Sequence, residues 1–165
     1  MIYTHSAQAD IEVAASAEAL FDYLDDPARL GAHMQKPSVM MLGGRMTYGF
    51  DEAQGRAVGS VIRMEGTIFG GGLSAEEVVV ERQPPHRKVW ETRGRPNLLV
   101  IGAYRMGFEI APSGKSSRLL VFIDYDYPSS AAGKIVGAMF GPIYARWCIN
   151  RMARDVISAF HADIY

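Results

Sequence analysis

Turn-forming residues recur at short intervals through the middle of the chain: Gln54-Gly55, Gly70-Gly71-Gly72, Pro84-Pro85, Arg95-Pro96-Asn97 and Pro112-Ser113-Gly114. Between them lie apolar, β-branched and aromatic stretches at roughly 44–51, 58–69, 73–83, 87–94, 98–111 and 118–127, each read as a strand. Connections this short allow only antiparallel neighbours, because a parallel crossover takes about a dozen residues or more. Residues 44–127 therefore predict a meander of about six strands. Such a sheet must bury one face, and one long segment is available to cover it. This is Ser130–His161, which carries Ile135, Met139, Ile143, Trp147, Met152, Val156 and Phe160 at helical spacing. Pro142 inside it predicts a kink or a restart.

The opening segment completes the pattern. Ala9, Ile11 and Val13 alternate with Asp10 and Glu12 in a strand over Ala7–Ala14. Ser16 then caps a helix whose apolar stripe is Leu20, Phe21 and Leu24, and Pro27 starts a second short helix through about Met34. The order β-α-α-β6-α is an α+β class. It describes a single domain over residues 1–165, with a curved antiparallel sheet of about seven strands on a long C-terminal helix.

Composition narrows the function classes. Hydrophobic residues make up 48% of the chain and charged residues 21%, which excludes a disordered chain. Seventeen basic residues against eighteen acidic ones give a formal charge of -1, which argues against a general nucleic-acid binder. Cys148 is the single cysteine, so no internal disulfide and no cysteine metal cluster can form. No apolar run approaches the ~20 residues of a membrane span, and together these features point to the cytoplasm. The sequence leaves a monomer and a homodimer both open.

Strand parity selects an inner face. Leu98, Val100, Tyr104, Met106, Phe108 and Ile110 share one side of their strand; Leu119, Val121, Ile123, Tyr125 and Tyr127 share one side of theirs. Trp90 and Thr92 oppose Glu91 and Arg93, and Ile62, Met64 and Ile68 oppose Arg63, Glu65 and Thr67. The predicted inner face is rich in aromatics and methionine.

The opening strand, the run SAEALFDYLDDPARL at residues 16–30, the meander, and the final helix introduced by Tyr127-Pro128 resemble the helix-grip superfamily. That group holds START lipid-transfer domains, birch-pollen-allergen-like proteins and bacterial polyketide cyclase/dehydrase-like (SRPBCC) proteins. The resemblance spans nearly the whole chain. Where such proteins commonly follow the run with a tryptophan, this chain has Gly31-Ala32-His33-Met34. The resemblance implies a helix-grip fold with an internal apolar cavity between sheet and helix. Among relatives it covers carriers of lipids, sterols, quinones and hormones, enzymes that cyclise or dehydrate polyketides, and activators of a chaperone ATPase, so it selects no single function.

Within that frame, Tyr48, Trp90, Tyr104, Phe108 and Tyr125 are candidate lining aromatics, joined by Met64, Thr92 and Met106 from the sheet and Met139, Phe140, Ile143 and Trp147 from the helix. The alternative is a solid core. Tyr104 and Tyr125 are the candidate polar anchors. Alternate turns of a meander fall at one end, which gathers Gly70–Gly72, Arg95-Pro96-Asn97 and Pro128-Ser129-Ser130. By analogy with helix-grip relatives this end is the tunnel mouth, although the glycines also suit a plain hairpin. Arg82, Arg87, Lys88, Arg93 and Arg95 form a basic segment, either a solvated face or, through Arg93 and Arg95, a reader of an anionic headgroup.

Catalytic candidates are sparse. Glu76 shares the parity of Val78 and Val80 and is read either as an inward acid–base group near the mouth or as a solvated strand end. Tyr104 is the other candidate. His5, His33, His86 and His161 show no metal-ligand spacing, His33 being the one nearest the predicted sheet, and no metal or cofactor is implied. Cys148 reads as a small core residue. The leading expectation is a non-catalytic protein that binds or carries a hydrophobic or aromatic small molecule. A polyketide cyclase/dehydratase-like enzyme is the alternative, and a protein-interaction module with a vestigial cavity is the third reading.

Overall fold

A computed structural model of the chain describes residues 2–30, 45–68 and 71–161. The elements are β1 (His5–Val13), α1 (Ala17–Leu24), α2 (Pro27–Leu30), β2 (Arg45–Phe50), β3 (Val61–Ile68), β4 (Gly71–Gln83), β5 (Arg87–Asn97), β6 (Tyr104–Ser113), β7 (Ser116–Tyr125) and α3 (Ala131–His161). The strands form one antiparallel sheet in the order β1-β7-β6-β5-β4-β3-β2. After the excursion through α1 and α2, β2 to β7 follow as the expected meander, and β1 closes onto β7 with His5 opposite Tyr125 and Val13 opposite Ser117.

Local chemistry explains the elements. The Ser16 hydroxyl accepts the Ala19 amide at 3.2 Å and starts α1, whose buried stripe is Ala17, Leu20, Phe21 and Leu24. The expected end of the second helix near Met34 lies outside the described residues. In β4 the ladder to β5 shifts register between Ser74 and Glu76 and again between Val79 and Glu81. Such bulges bend a strand and raise its twist, which curves the sheet.

Two expectations about element bounds need correction. The segment Arg95-Pro96-Asn97 is not a turn: β5 continues to Asn97, which pairs with Ser74, while its ladder to β6 ends at Glu91 and Arg105. Gly94, with φ at 71°, supplies the left-handed backbone conformation that lets β5 leave β6 and stay with β4. Residues 98–103, expected to begin a strand, are a loop instead. Their apolar run Leu98–Ile101 borders the cavity, with Ile101 buried and Leu99 40% exposed.

The long helix is one element from Ala131 to His161, with Pro142 inside it. It packs on β1 and β7. The face it turns inward is small at the start (Gly137, Gly141, Ala145) and larger further on (Ile149, Met152, Val156). This overturns the expected inward stripe in the first half, because Ile135, Met139, Phe140 and Ile143 are 50–65% exposed. The reason is proximity. A β-carbon on Gly137 would sit 2.9 Å from the Tyr127 side chain, and one on Gly141 would sit 3.2 Å from the Val100 carbonyl oxygen. Large side chains cannot face such a close partner, so they point away.

Candidate functional site

Between the sheet and α3 lies a cavity of about 130 Å3. Its wall is mostly apolar: Met46, Met64, Met106 and Met152 contribute thioethers, and Leu98–Ile101 close one side. Tyr48 on β2, Trp90 on β5, Tyr104 on β6 and Tyr144 on α3 each add a ring. Two charged residues, Glu77 and Lys88, also line it.

Glu77 is 6% exposed. The Tyr104 hydroxyl donates a short hydrogen bond to its Oε1. The Trp90 indole N–H also donates to this carboxyl. Burial dominates its chemistry, because removing a carboxylate from water disfavours the charged form. The pKa therefore rises from the ordinary 4.5 to about 7, although Tyr104, Trp90 and the charge of Lys88 pull the other way. Tyr104, Tyr48 and Tyr144 are pushed well above 10, first by burial, so their hydroxyls stay neutral. Burial likewise raises the Cys148 thiol to about 12 despite a hydrogen bond with Tyr144, which leaves it a poor nucleophile.

Lys88 is 1% exposed, and its ammonium is satisfied away from the cavity. Nζ donates to Asp25 Oδ1 at 2.7 Å and to the Asp25 carbonyl oxygen at 2.9 Å, where α1 ends. Arg82 donates to the other Asp25 oxygen at 2.9 Å. A cation at a helix C-terminus meets the negative end of the helix dipole, and here it also meets a carboxylate. Burial raises the Asp25 carboxyl, but hydrogen bonds from Arg82 and Lys88 outweigh it and hold the pKa below the ordinary value.

Of the residues named from the sequence, Tyr48, Met64, Trp90, Tyr104 and Met106 stand on the cavity wall. Phe108 and Tyr125 are core residues behind it: Phe108 packs edge-on against Phe21 and Trp90, and Tyr125 packs with His5 and Tyr127. Thr92 ties β5 to β6, its hydroxyl accepting the Tyr104 amide at 3.1 Å. Arg95 is exposed and Trp147 packs against the core beside Tyr144; neither lines the cavity. Met139, Phe140 and Ile143 point outward for the reason given above. Of the expected gathering at one end, Gly72 and Asn97 meet, the Asn97 amide donating to the Gly72 carbonyl at 2.7 Å. Gly70 and His33 lie outside the described residues.

For Glu76 the solvated reading holds and the inward one does not. It lies on the outer face, with its carboxylate 3.2 Å from Arg63 and 3.6 Å from Arg93. The inward residues of β4 are Ala75, Glu77 and Val79. The run Glu76-Glu77-Val78-Val79-Val80 fits either parity, but Arg63 and Arg93 on the outer parity of their own strands favoured an outward Glu76. That signal would have pointed to Glu77. Elsewhere in the basic segment Arg87 pairs with Glu81 and Glu109, and Arg82 and Lys88 pair with Asp25. Among the described residues no group of three or more His, Cys, Asp or Glu is placed to hold a metal, and no helix is long and apolar enough to cross a membrane.

The family model described as polyketide cyclase/dehydrase and lipid transport matches residues 4–156, and the chain belongs to that family. The protein TTHA0849 of Thermus thermophilus superposes with a TM-score of 0.69 at 11% identity, covering 98% of this chain and 100% of the other. Major latex-like protein 151 of Panax ginseng gives 0.63 at 12%, covering 94% and 97%. Truncated norcoclaurine synthase of Thalictrum flavum gives 0.60 at 20%, covering 96% and 95%. These likenesses establish the helix-grip fold. No curated protein matches the chain in sequence.

Proposed function

We propose that the protein binds a small apolar or aromatic molecule between the sheet and α3. The observation that carries this reading is the cavity itself, about 130 Å3 of space whose wall is chiefly methionine, leucine and aromatic side chain. An apolar cavity near 150 Å3 stays dry and accepts a benzene-sized molecule, which sets the scale of the expected ligand at about one ring. Affinity would come from apolar contact, at roughly 25 cal/mol per Å2 removed from water before association costs. Native mass spectrometry of freshly purified protein, followed by titration with ethylbenzene and indole by calorimetry, tests this. A co-purified apolar molecule or saturable one-to-one binding is expected. A bare chain mass together with no heat from either probe would overturn the reading.

One observation favours a second reading in which the bound molecule reacts. A carboxyl group whose pKa lies near 7 exchanges protons readily at neutral pH, and Glu77 meets the cavity with Tyr104 beside it. On that reading Glu77→Gln abolishes turnover of a bound substrate while leaving its binding measurable. For a carrier the same substitution alters affinity alone.

A further inference from the structure

We infer that the class of ligand this cavity selects is a small apolar amine, held as its ammonium ion between the Glu77 carboxylate and the surrounding rings. The inference rests on the cavity being a binding site and adds the chemistry of what occupies it. It begins from an imbalance in the wall. Of the two charged residues that line the cavity, Lys88 already has its partner: both its hydrogen bonds go to Asp25, and Arg82 shares that carboxylate. Among the described residues, the donors to Glu77 are neutral, the Tyr104 hydroxyl and the Trp90 indole N–H. A carboxylate offers about four acceptor positions, so two donors leave it able to receive an N–H from a ligand. A buried carboxylate with no cation hydrogen-bonded to it is costly, and a ligand ammonium would reduce that cost.

The rings act in the same sense. Tyr48, Trp90, Tyr104 and Tyr144 line the same small space from three strands and the helix. Aromatic faces carry negative quadrupole potential and attract a cation within about 6 Å, more strongly where water is absent. Carboxylate and rings together therefore favour a positive headgroup and oppose a negative one. An apolar body attached to that headgroup would meet the methionines and the Leu98–Ile101 loop.

The pH response follows from the groups that face Glu77. Tyr104 and Tyr48 from the sheet and Tyr144 from α3 remain neutral, Cys148 holds its proton to about 12, and Lys88 and Arg82 share the Asp25 carboxylate, a cluster whose charge does not change near pH 7. The charge that changes around an ammonium ion near neutral pH is thus that of Glu77. Ionisation above about pH 7 completes the site, and protonation below it removes the attraction.

The test uses three probes of one ring each on the intact chain: benzylamine, its neutral counterpart ethylbenzene, and phenylacetate. Calorimetric titration at pH 8 should show benzylamine binding at least about tenfold more tightly than ethylbenzene, with phenylacetate weakest. Benzylamine affinity should fall by about tenfold per pH unit below 7 while ethylbenzene stays flat. Glu77→Gln should bring benzylamine down to the ethylbenzene level, and the pH series on the unaltered chain decides the matter should that variant not fold. Equal or better binding of ethylbenzene, or a preference for phenylacetate, would overturn the amine assignment and leave the cavity reading standing. Failure of all three probes would overturn the amine assignment, and together with a bare native mass and no indole binding it would overturn the cavity reading as well.

Discussion

Glu77 occupies a wall position where an aliphatic side chain would be the ordinary choice, and its presence is written into the pH dependence of folding. Its folded pKa of about 7 lies above the 4.5 of an ordinary carboxyl, so the folded chain holds this proton more tightly than the unfolded chain does. The corresponding stability is fully present below about pH 4.5 and is lost as pH rises through 7, an effect on the order of 3 kcal/mol. Urea unfolding at pH 5 and pH 8 should therefore show a larger loss in the native chain than in Glu77→Gln, which carries the same shape without the charge. Parallel behaviour of the two would show that this carboxyl is not held near neutrality. Residue-level reading of the sequence weighed Glu76 and left Glu77 aside. Alternation runs unbroken from Glu76 to Val79, but the run Glu76–Val80 lets either phase face inward, and the phase is set by Arg63 and Arg93 on the neighbouring strands. Tyr48, Met64, Trp90, Tyr104 and Met106 lie on strands where alternation was clean, and their inward position was legible.

At the scale of elements, α3 shows why helical spacing alone misplaced its inner face. Ile135, Met139 and Ile143 recur at helical intervals and look like a core stripe, but a helix can approach a sheet closely only through small residues. Gly137 and Gly141 take that role against Tyr127 and Val100. Alanine is ordinarily better than glycine in a helix by about 0.5–1 kcal/mol. Gly137→Ala should nevertheless destabilise the chain by about 1–3 kcal/mol, since its methyl would overlap the Tyr127 side chain near its own β-carbon. Combining it with Tyr127→Ala should lift only part of the penalty, because the β-carbon that remains is itself 2.9 Å from the added methyl, and a double-mutant cycle in urea would read the share carried by the ring. Additive effects would place the strain elsewhere. The loop at 98–103 was illegible for a related reason: its apolar run looks like a strand, and only the departure of β5 from β6 after Glu91 reveals that it has no partner.

For the molecule as a whole, the sequence defined the order of elements, the antiparallel meander and the closing helix, because turn chemistry and periodicity are local. The cavity is not local. It lies between a bent sheet and the stretch of α3 that carries Tyr144, Cys148 and Met152, away from the close contact at Gly137 and Gly141. At roughly 24 cal/mol per Å3, an empty volume of 130 Å3 costs on the order of 3 kcal/mol. Filling it should raise stability and remove function together. Cys148→Leu, from the helix side of the wall, should raise the melting temperature by about 2–4 °C and weaken ethylbenzene binding by at least about tenfold. Calorimetry of both quantities on one preparation checks the trade. A variant that loses stability while still binding would mean that the space is already committed to side chains.

The pairing of β1 with β7 sets an order on biosynthesis. Asp10 meets Arg118 and Thr4 meets Asp126 across 108 and 122 residues of chain. A ribosome adding about 5–20 residues per second therefore leaves β1 without its neighbour for on the order of ten seconds. During that interval Ala9 and Ile11 have neither β7 beside them nor α3 beneath. The polar alternation Ser6, Gln8, Asp10 and Glu12 on the opposite face keeps the waiting strand hydrated, and its charges meet Arg118 and Ser116 only when the sheet closes.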